Sequence, residues 1–175
     1  AKVVAEVKKA TNAAKAGHGG TLDPLATGLL PIALGEATKT SAWAMDGSKT
    51  YNFVVRWGQS TTTDDREGDV VETSDVRPSP EQIEAALPAF TGDIEQMPPA
   101  YSALKGDGER AYKKARRGES VELKSRIVTI SALKVLEYID SDHTEFQAIC
   151  GKGTYIRSLG RDLAQHLGTT GHISV

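Results

Sequence analysis

The chain has 175 residues and a mass of 18.7 kDa, a size that suits one domain better than two. Its 21 basic and 23 acidic side chains leave a net charge of −2, so overall charge points to no particular partner. A 39% hydrophobic and 25% charged composition excludes a disordered chain, and the lone Cys150 excludes a disulfide framework or a cysteine-based zinc site. The longest apolar runs, such as 29–34, are far too short to span a membrane, and no signal-like segment opens the sequence. A soluble, cytoplasmic protein is expected.

In chain order, the apolar spacing of Val3, Val4, Val7, Ala10 and Ala14 predicts a helix from about Ala1 to Ala16, closed by Gly17. A glycine-rich loop follows over 17–28, then an apolar strand over 29–34 and a short helix near 38–45. Residues 49–57 alternate, with Tyr51, Phe53, Val55 and Trp57 on one face, and read as a strand. Ser79-Pro80-Glu81-Gln82 combines an N-cap, a proline at N1 and a glutamine at N3, so a helix should run to about Phe90. Residues 121–138 and 145–150 read as two or three strands. The last helix, about Tyr155 to Leu167, carries Ile156, Leu159, Leu163 and Leu167 on one side, with Gly168 beyond its end. The irregular order of strands and helices favours a mixed α/β (α+β) fold over a regular parallel sheet. Residue 1 enters straight into a helical pattern and the final Gly171-His172-Ile173-Ser174-Val175 starts an apolar one, so the chain reads as a fragment.

Charge is segregated. Residues 64–95 hold ten acidic and two basic side chains, whereas 105–117 hold six basic and two acidic, with Tyr101 and Tyr112 beside them. The stretch from Arg110 to Arg117 reads either as a solvated helix face or as an arm that contacts nucleic-acid phosphates.

Three residues stand out chemically. Asp23 lies between Leu22 and Pro24 in the glycine-rich loop, where glycines admit a large ligand and the proline stiffens the turn after the acid. It reads either as an ordinary turn-forming Asp-Pro or as an aimed carboxylate. No second carboxylate or histidine pair stands at metal-ligand spacing beside it, and no Gly-Lys-Ser/Thr makes the loop a phosphate-binding P-loop. Arg157 follows Gly151-Lys152-Gly153-Thr154-Tyr155-Ile156, in a first helical turn where the helix dipole disfavours a cation; it reads as the partner of a carboxylate, as a surface arginine or as part of a phosphate site. Tyr51 is by default a core aromatic, His143 and His166 surface residues, and Cys150 a small buried hydrophobe.

The run Gly17-His18-Gly19-Gly20-Thr21-Leu22-Asp23-Pro24-Leu25-Ala26-Thr27-Gly28-Leu29-Leu30, followed by Leu34-Gly35-Glu36-Ala37-Thr38-Lys39, resembles the signature of the TruB family of tRNA pseudouridine synthases. The likeness continues through Lys49-Thr50-Tyr51, Gly58-Gln59-Ser60-Thr61-Thr62-Thr63-Asp64 and Gln96-Met97-Pro98-Pro99-Ala100-Tyr101-Ser102-Ala103-Leu104-Lys105. It ends with Arg110-Ala111-Tyr112 and Gly153-Thr154-Tyr155-Ile156-Arg157-Ser158-Leu159, all in family order.

The resemblance implies a mixed, largely antiparallel sheet flanked by helices, and conversion of uridine to pseudouridine in RNA, in bacteria uridine 55 of the tRNA T loop, with no metal or organic cofactor. It implies that Asp23 is the catalytic carboxylate, that Tyr51 stacks on the target base, and that Arg157 pairs with Asp23. His18 would hold the opened RNA loop. A segment of about 97–124 would be inserted to grip RNA, bringing in Lys105, Arg110, Tyr112, Lys113, Arg116 and Arg117. On this reading residues 1–175 are one catalytic domain truncated at both ends, lacking the family's C-terminal PUA domain and acting as a monomer on the tRNA T stem-loop, with no membrane partner. The family usually has an apolar residue where Gly106 stands. The alternative is a non-catalytic RNA-binding or tRNA-folding module that uses the same cleft.

Overall fold

In a computed structural model of the chain, residues 2–102, 105–106, 109–110, 117 and 123–175 are described. They fall into two compact units, Ala1–Ser48 and Lys49–Val175.

The first unit opens with α1 (Lys2–Ala10), which ends six residues earlier than its apolar spacing suggests. Its terminator is Asn12, not Gly17. Asn12 takes φ 50°, and the amides of Asn12 and Ala13 bond back to the carbonyls of Lys9 (3.3 Å) and Lys8 (3.1 Å). These paired bonds close a helix around a left-handed residue, a conformation that asparagine tolerates. Gly17 then lies within β1 (Ala16–His18), which pairs antiparallel with β2 (Ile32–Leu34). The strand expected over 29–34 is thus only its last three residues. A 3-10 turn (Gly35–Lys39) and α2 (Ser41–Met45) follow in place of one continuous helix.

The second unit is built on a five-stranded sheet whose spatial order is β11-β3-β10-β9-β6, antiparallel at every pairing. The strands are β3 (Lys49–Trp57), β6 (Gly92–Gln96), β9 (Arg126–Tyr138), β10 (His143–Cys150) and β11 (Gly171–Ile173). Two small hairpins accompany it: β4 (Gln59–Thr61) with β5 (Val70–Thr73), and β7 (Lys105–Gly106) with β8 (Glu109–Arg110). The mixed, largely antiparallel fold class is as expected. β3 has the bounds read from its alternation, while β9 begins at Arg126, five residues later than expected.

The period of two decides which side chains go inside. Thr144, Phe146, Ala148 and Cys150 of β10 are buried in strict alternation. With Phe53, Val55 and Trp57 of β3, Phe146, Ala148 and Cys150 pack under Leu159, Leu163 and Ala164 of α4 (Ile156–His166). Phe53 stacks on Phe146 with centroids 5.6 Å apart, and Trp57 meets the same ring edge-on at 6.1 Å. The Trp57 indole N–H donates to Thr144 Oγ1 at 3.0 Å, so its polar atom is satisfied inside the core. Tyr51 is half-buried against this cluster. Cys150 is fully buried on its strand, and that burial pushes its thiol up.

α3 (Pro80–Ala86) starts with the expected capping box, Ser79 and Gln82 bonding each other's backbone, and continues as a 3-10 turn (Leu87–Phe90). α4 ends as expected at Gly168, whose φ of 72° lets the Gly168 and Thr169 amides return to the carbonyls of Gln165 and Ala164, both at 3.0 Å. The chain then folds into β11, whose Gly171 has no room for a side chain. A Cβ there would lie 2.8 Å from the Ala164 Cβ and 3.1 Å from the Arg56 carbonyl oxygen. Neither atom is the end of a flexible side chain, so Gly171→Ala should cost about 1–3 kcal/mol by overpacking. Thermal denaturation would then show a fall of several degrees, and an unchanged melting temperature would mean that β11 shifts freely. No helix among the described residues is long and apolar enough to cross a membrane.

Candidate active-site residues

Asp23 sits in the loop between β1 and β2, which is pinched at its base by the Gly19 amide donating to the Pro31 carbonyl at 2.8 Å. Within it, the Ala26 amide donates to the Asp23 carbonyl at 3.0 Å, closing a turn with Pro24 in second position. Gly20 and Gly28, at φ 143° and 140°, flank that turn with backbone that side chains rarely adopt. The Asp-Pro turn is therefore real, and the Asp23 side chain is half-buried within it. His18, exposed at the end of β1, donates through Nδ1 to the Gly20 carbonyl and so ties itself to the same loop.

In the second unit, Arg157 is in the first turn of α4 and is buried, not a surface arginine. Its Nη1 donates to the Thr63 carbonyl and its Nη2 to the Tyr101 carbonyl, each at 3.0 Å, and its Nε lies 3.8 Å from Asp65 Oδ2. One turn on, Arg161 donates from Nη1 to Asp64 Oδ2 at 3.0 Å and also pairs with Asp162 at 2.8 Å.

The loop after β4 is shaped to present both aspartates. Asp65 Oδ1 accepts from Thr63 Oγ1 at 2.5 Å and from the Glu67 amide at 2.9 Å. The Thr61 hydroxyl donates to the Asp65 carbonyl at 2.5 Å. Asp64 takes φ 59°. Burial pushes the Asp64 carboxyl above its usual range, although Arg161 and Arg157 both pull it down. Arginine forks surrounded by carbonyls and carboxylates are held in one orientation.

Asp64, Asp65 and Arg161 were not among the residues singled out from the sequence. Their signal is the like-charged pair Arg157 and Arg161, four residues apart on one helix face, which is unfavourable unless acids face it. Of the basic arm, Lys105 and Arg110 are register partners in the β7–β8 hairpin, and Arg117 is an exposed turn residue. Tyr112, Lys113 and Arg116 lie outside the described residues.

Residues 8–156 match the family model described as TruB family pseudouridylate synthase (N terminal domain). The chain belongs to the TruB family. Among its relatives, the tRNA pseudouridine synthase B of Caulobacter vibrioides is 58% identical over 171 residues, covering 98% of this chain and 55% of the relative. That of Brucella melitensis is 57% identical over 173 residues, 99% of this chain and 53% of the relative. The TruB-family chain thus spans about half the length of the curated relatives it matches. Among solved structures it resembles a chain of a Cbf5–Nop10–Gar1 complex, with a TM-score of 0.71 and 31% identity, covering 98% of this chain and 42% of that one. It also resembles a chain of an H/ACA RNP bound to a substrate RNA containing 2'-deoxyuridine, with a TM-score of 0.69 and 27% identity over 99% of this chain and 40% of that one.

Proposed function

We propose that this chain carries the catalytic domain of a tRNA pseudouridine synthase that isomerises uridine 55 of the T loop. The observation that carries the reading is the family match over residues 8–156, which includes Asp23, Tyr51 and all but the last of the proposed site residues, Arg157. The N1–C1′ glycosidic bond of the uridine breaks, the uracil turns, a C5–C1′ bond forms, the C5 proton leaves to solvent and N1 takes up a proton in its place. Asp23 serves as the carboxylate that meets the sugar or the departing base, Tyr51 as the ring that holds the base, and Arg157 as the cation that aims Asp23. The target nucleotide must leave its stack for a carboxylate to reach it, and His18 helps hold the opened loop. No metal or organic cofactor takes part.

The domain is part of a longer, monomeric, cytoplasmic protein. Its RNA-gripping insertion of about 97–124 supplies Lys105, Arg110, Tyr112, Lys113, Arg116 and Arg117. Release of tritium from T-loop RNA carrying 5-tritiated uridine tests this reading, on the 175-residue chain and on a chain extended to the length of its relatives. No release from the extended chain would overturn it.

Neutralising Arg110, Lys113, Arg116 and Arg117 together should weaken RNA binding and make log affinity less steep against log salt. Each lost phosphate contact removes about 0.7–0.9 from that slope. Unchanged affinity and slope would make the cluster a solvated face.

A further inference from the structure

The chain leaves the five-stranded sheet at Gln96, the last residue of β6, and returns to it at Arg126, the first residue of β9. These two residues are register partners, so segment 97–125 springs from a single rung of the ladder. Both of them also reach the same third residue. Gln96 is 1% exposed, and its Oε1 accepts from the Tyr155 amide at 2.8 Å while its Nε2 donates to the Tyr155 carbonyl at 3.1 Å. The Arg126 guanidinium carbon lies 5.3 Å from the centroid of the Tyr155 ring, in cation–π range.

Tyr155 is the N-cap residue of α4 and provides no side-chain cap of its own. It stands two residues before Arg157. The outgoing root of the segment then makes three more bonds to the first turns of the helix. The Met97 carbonyl accepts from Ser158 Oγ at 2.7 Å and from Arg161 Nη2 at 2.8 Å, and the Tyr101 carbonyl accepts from Arg157 Nη2 at 3.0 Å. A buried side-chain amide that satisfies both the N–H and the C=O of one residue fixes that residue as a ladder rung would.

We propose that Gln96 and Arg126 are positioning residues, which clamp Tyr155 from its backbone and its ring face and so tie the roots of segment 97–125 to the placement of Arg157. The clamp rests on the functional reading above. It makes the two roots of the segment and the arginine parts of one mechanical unit, so that the arginine stands already aimed beside those roots.

The test uses Arg126→Met, Arg126→Lys and Gln96→Glu in the extended chain, with single-turnover and steady-state tritium release from T-loop RNA. Arg126→Met should lower kcat about tenfold or more while KM stays within about threefold, the pattern of a misplaced group rather than a lost RNA contact. Arg126→Lys should restore part of kcat, because an ammonium can still lie over the ring. Gln96→Glu should recover toward the unsubstituted rate as pH falls. A protonated carboxyl can both accept from the Tyr155 amide and donate to its carbonyl, whereas an ionised one can only accept. A rise in KM with kcat unchanged, no rescue by lysine, or a pH-independent defect in Gln96→Glu would each overturn the clamp. Hydrogen exchange at amides 155–159 reads it without any turnover. Arg126→Met should speed exchange there about tenfold and leave the β3–β10 ladder protected, and unchanged exchange overturns the proposal. An unsubstituted chain that releases no tritium overturns the functional reading instead.

Discussion

Asp23→Asn should abolish pseudouridine formation, by a factor of about a thousand or more, with T-loop RNA affinity within about tenfold, or ~1.4 kcal/mol. The substitution keeps the size of the side chain and leaves the backbone of the turn intact. The loop is held by main-chain bonds, Ala26 to Asp23 and Gly19 to Pro31, and by glycines at positive φ. None of these needs the charge of Asp23, so the turn should keep its backbone in the variant. Tritium release and filter binding on the same preparation check it. Residual turnover near the unsubstituted rate would remove Asp23 from the chemistry.

Arg157→Met should lose both turnover and stability. The side chain is buried, and its removal strands the carbonyls of Thr63 and Tyr101 and the buried Asp65 carboxylate. Removing one partner from a buried charge set costs about 3–5 kcal/mol. For a chain of this size that is on the order of 10 °C in melting temperature. Arg157→Lys keeps the charge but has no planar fork to reach two carbonyls and a carboxylate together, so it should recover only part of each loss. Parallel thermal melts and tritium-release rates separate the effects. A melting temperature unchanged in Arg157→Met would show that Asp65 and the two carbonyls find other partners or water.

What the sequence determined by itself is whatever depends on near neighbours. The alternation of Tyr51, Phe53, Val55 and Trp57 gave β3 its bounds, because a pleated strand sends every second side chain to the same face. Ser79 with Gln82, and Gly168 after Leu167, marked helix ends because capping is a bond between residues three to five apart. The Asp23 loop was legible for the same reason, since Pro24 and the glycines act on their own backbone.

The tertiary structure decided the rest. Asn12 ended α1 in place of Gly17, because the apolar spacing of Ala10 and Ala14 does not reveal which residue turns left-handed. β6 carries too few apolar residues to announce itself and is a strand because β9 offers it ladder partners, and the apolar start at Gly171–Val175 becomes β11 because β3 pairs with it. The surroundings of Arg157 are likewise built from afar. Asp65 and Thr63 stand more than 90 residues before it, and Gln96 reaches Tyr155 across 59 residues. A polar side chain's partner at that separation is chosen by how the sheet and helix pack, and no local pattern in the chain encodes it.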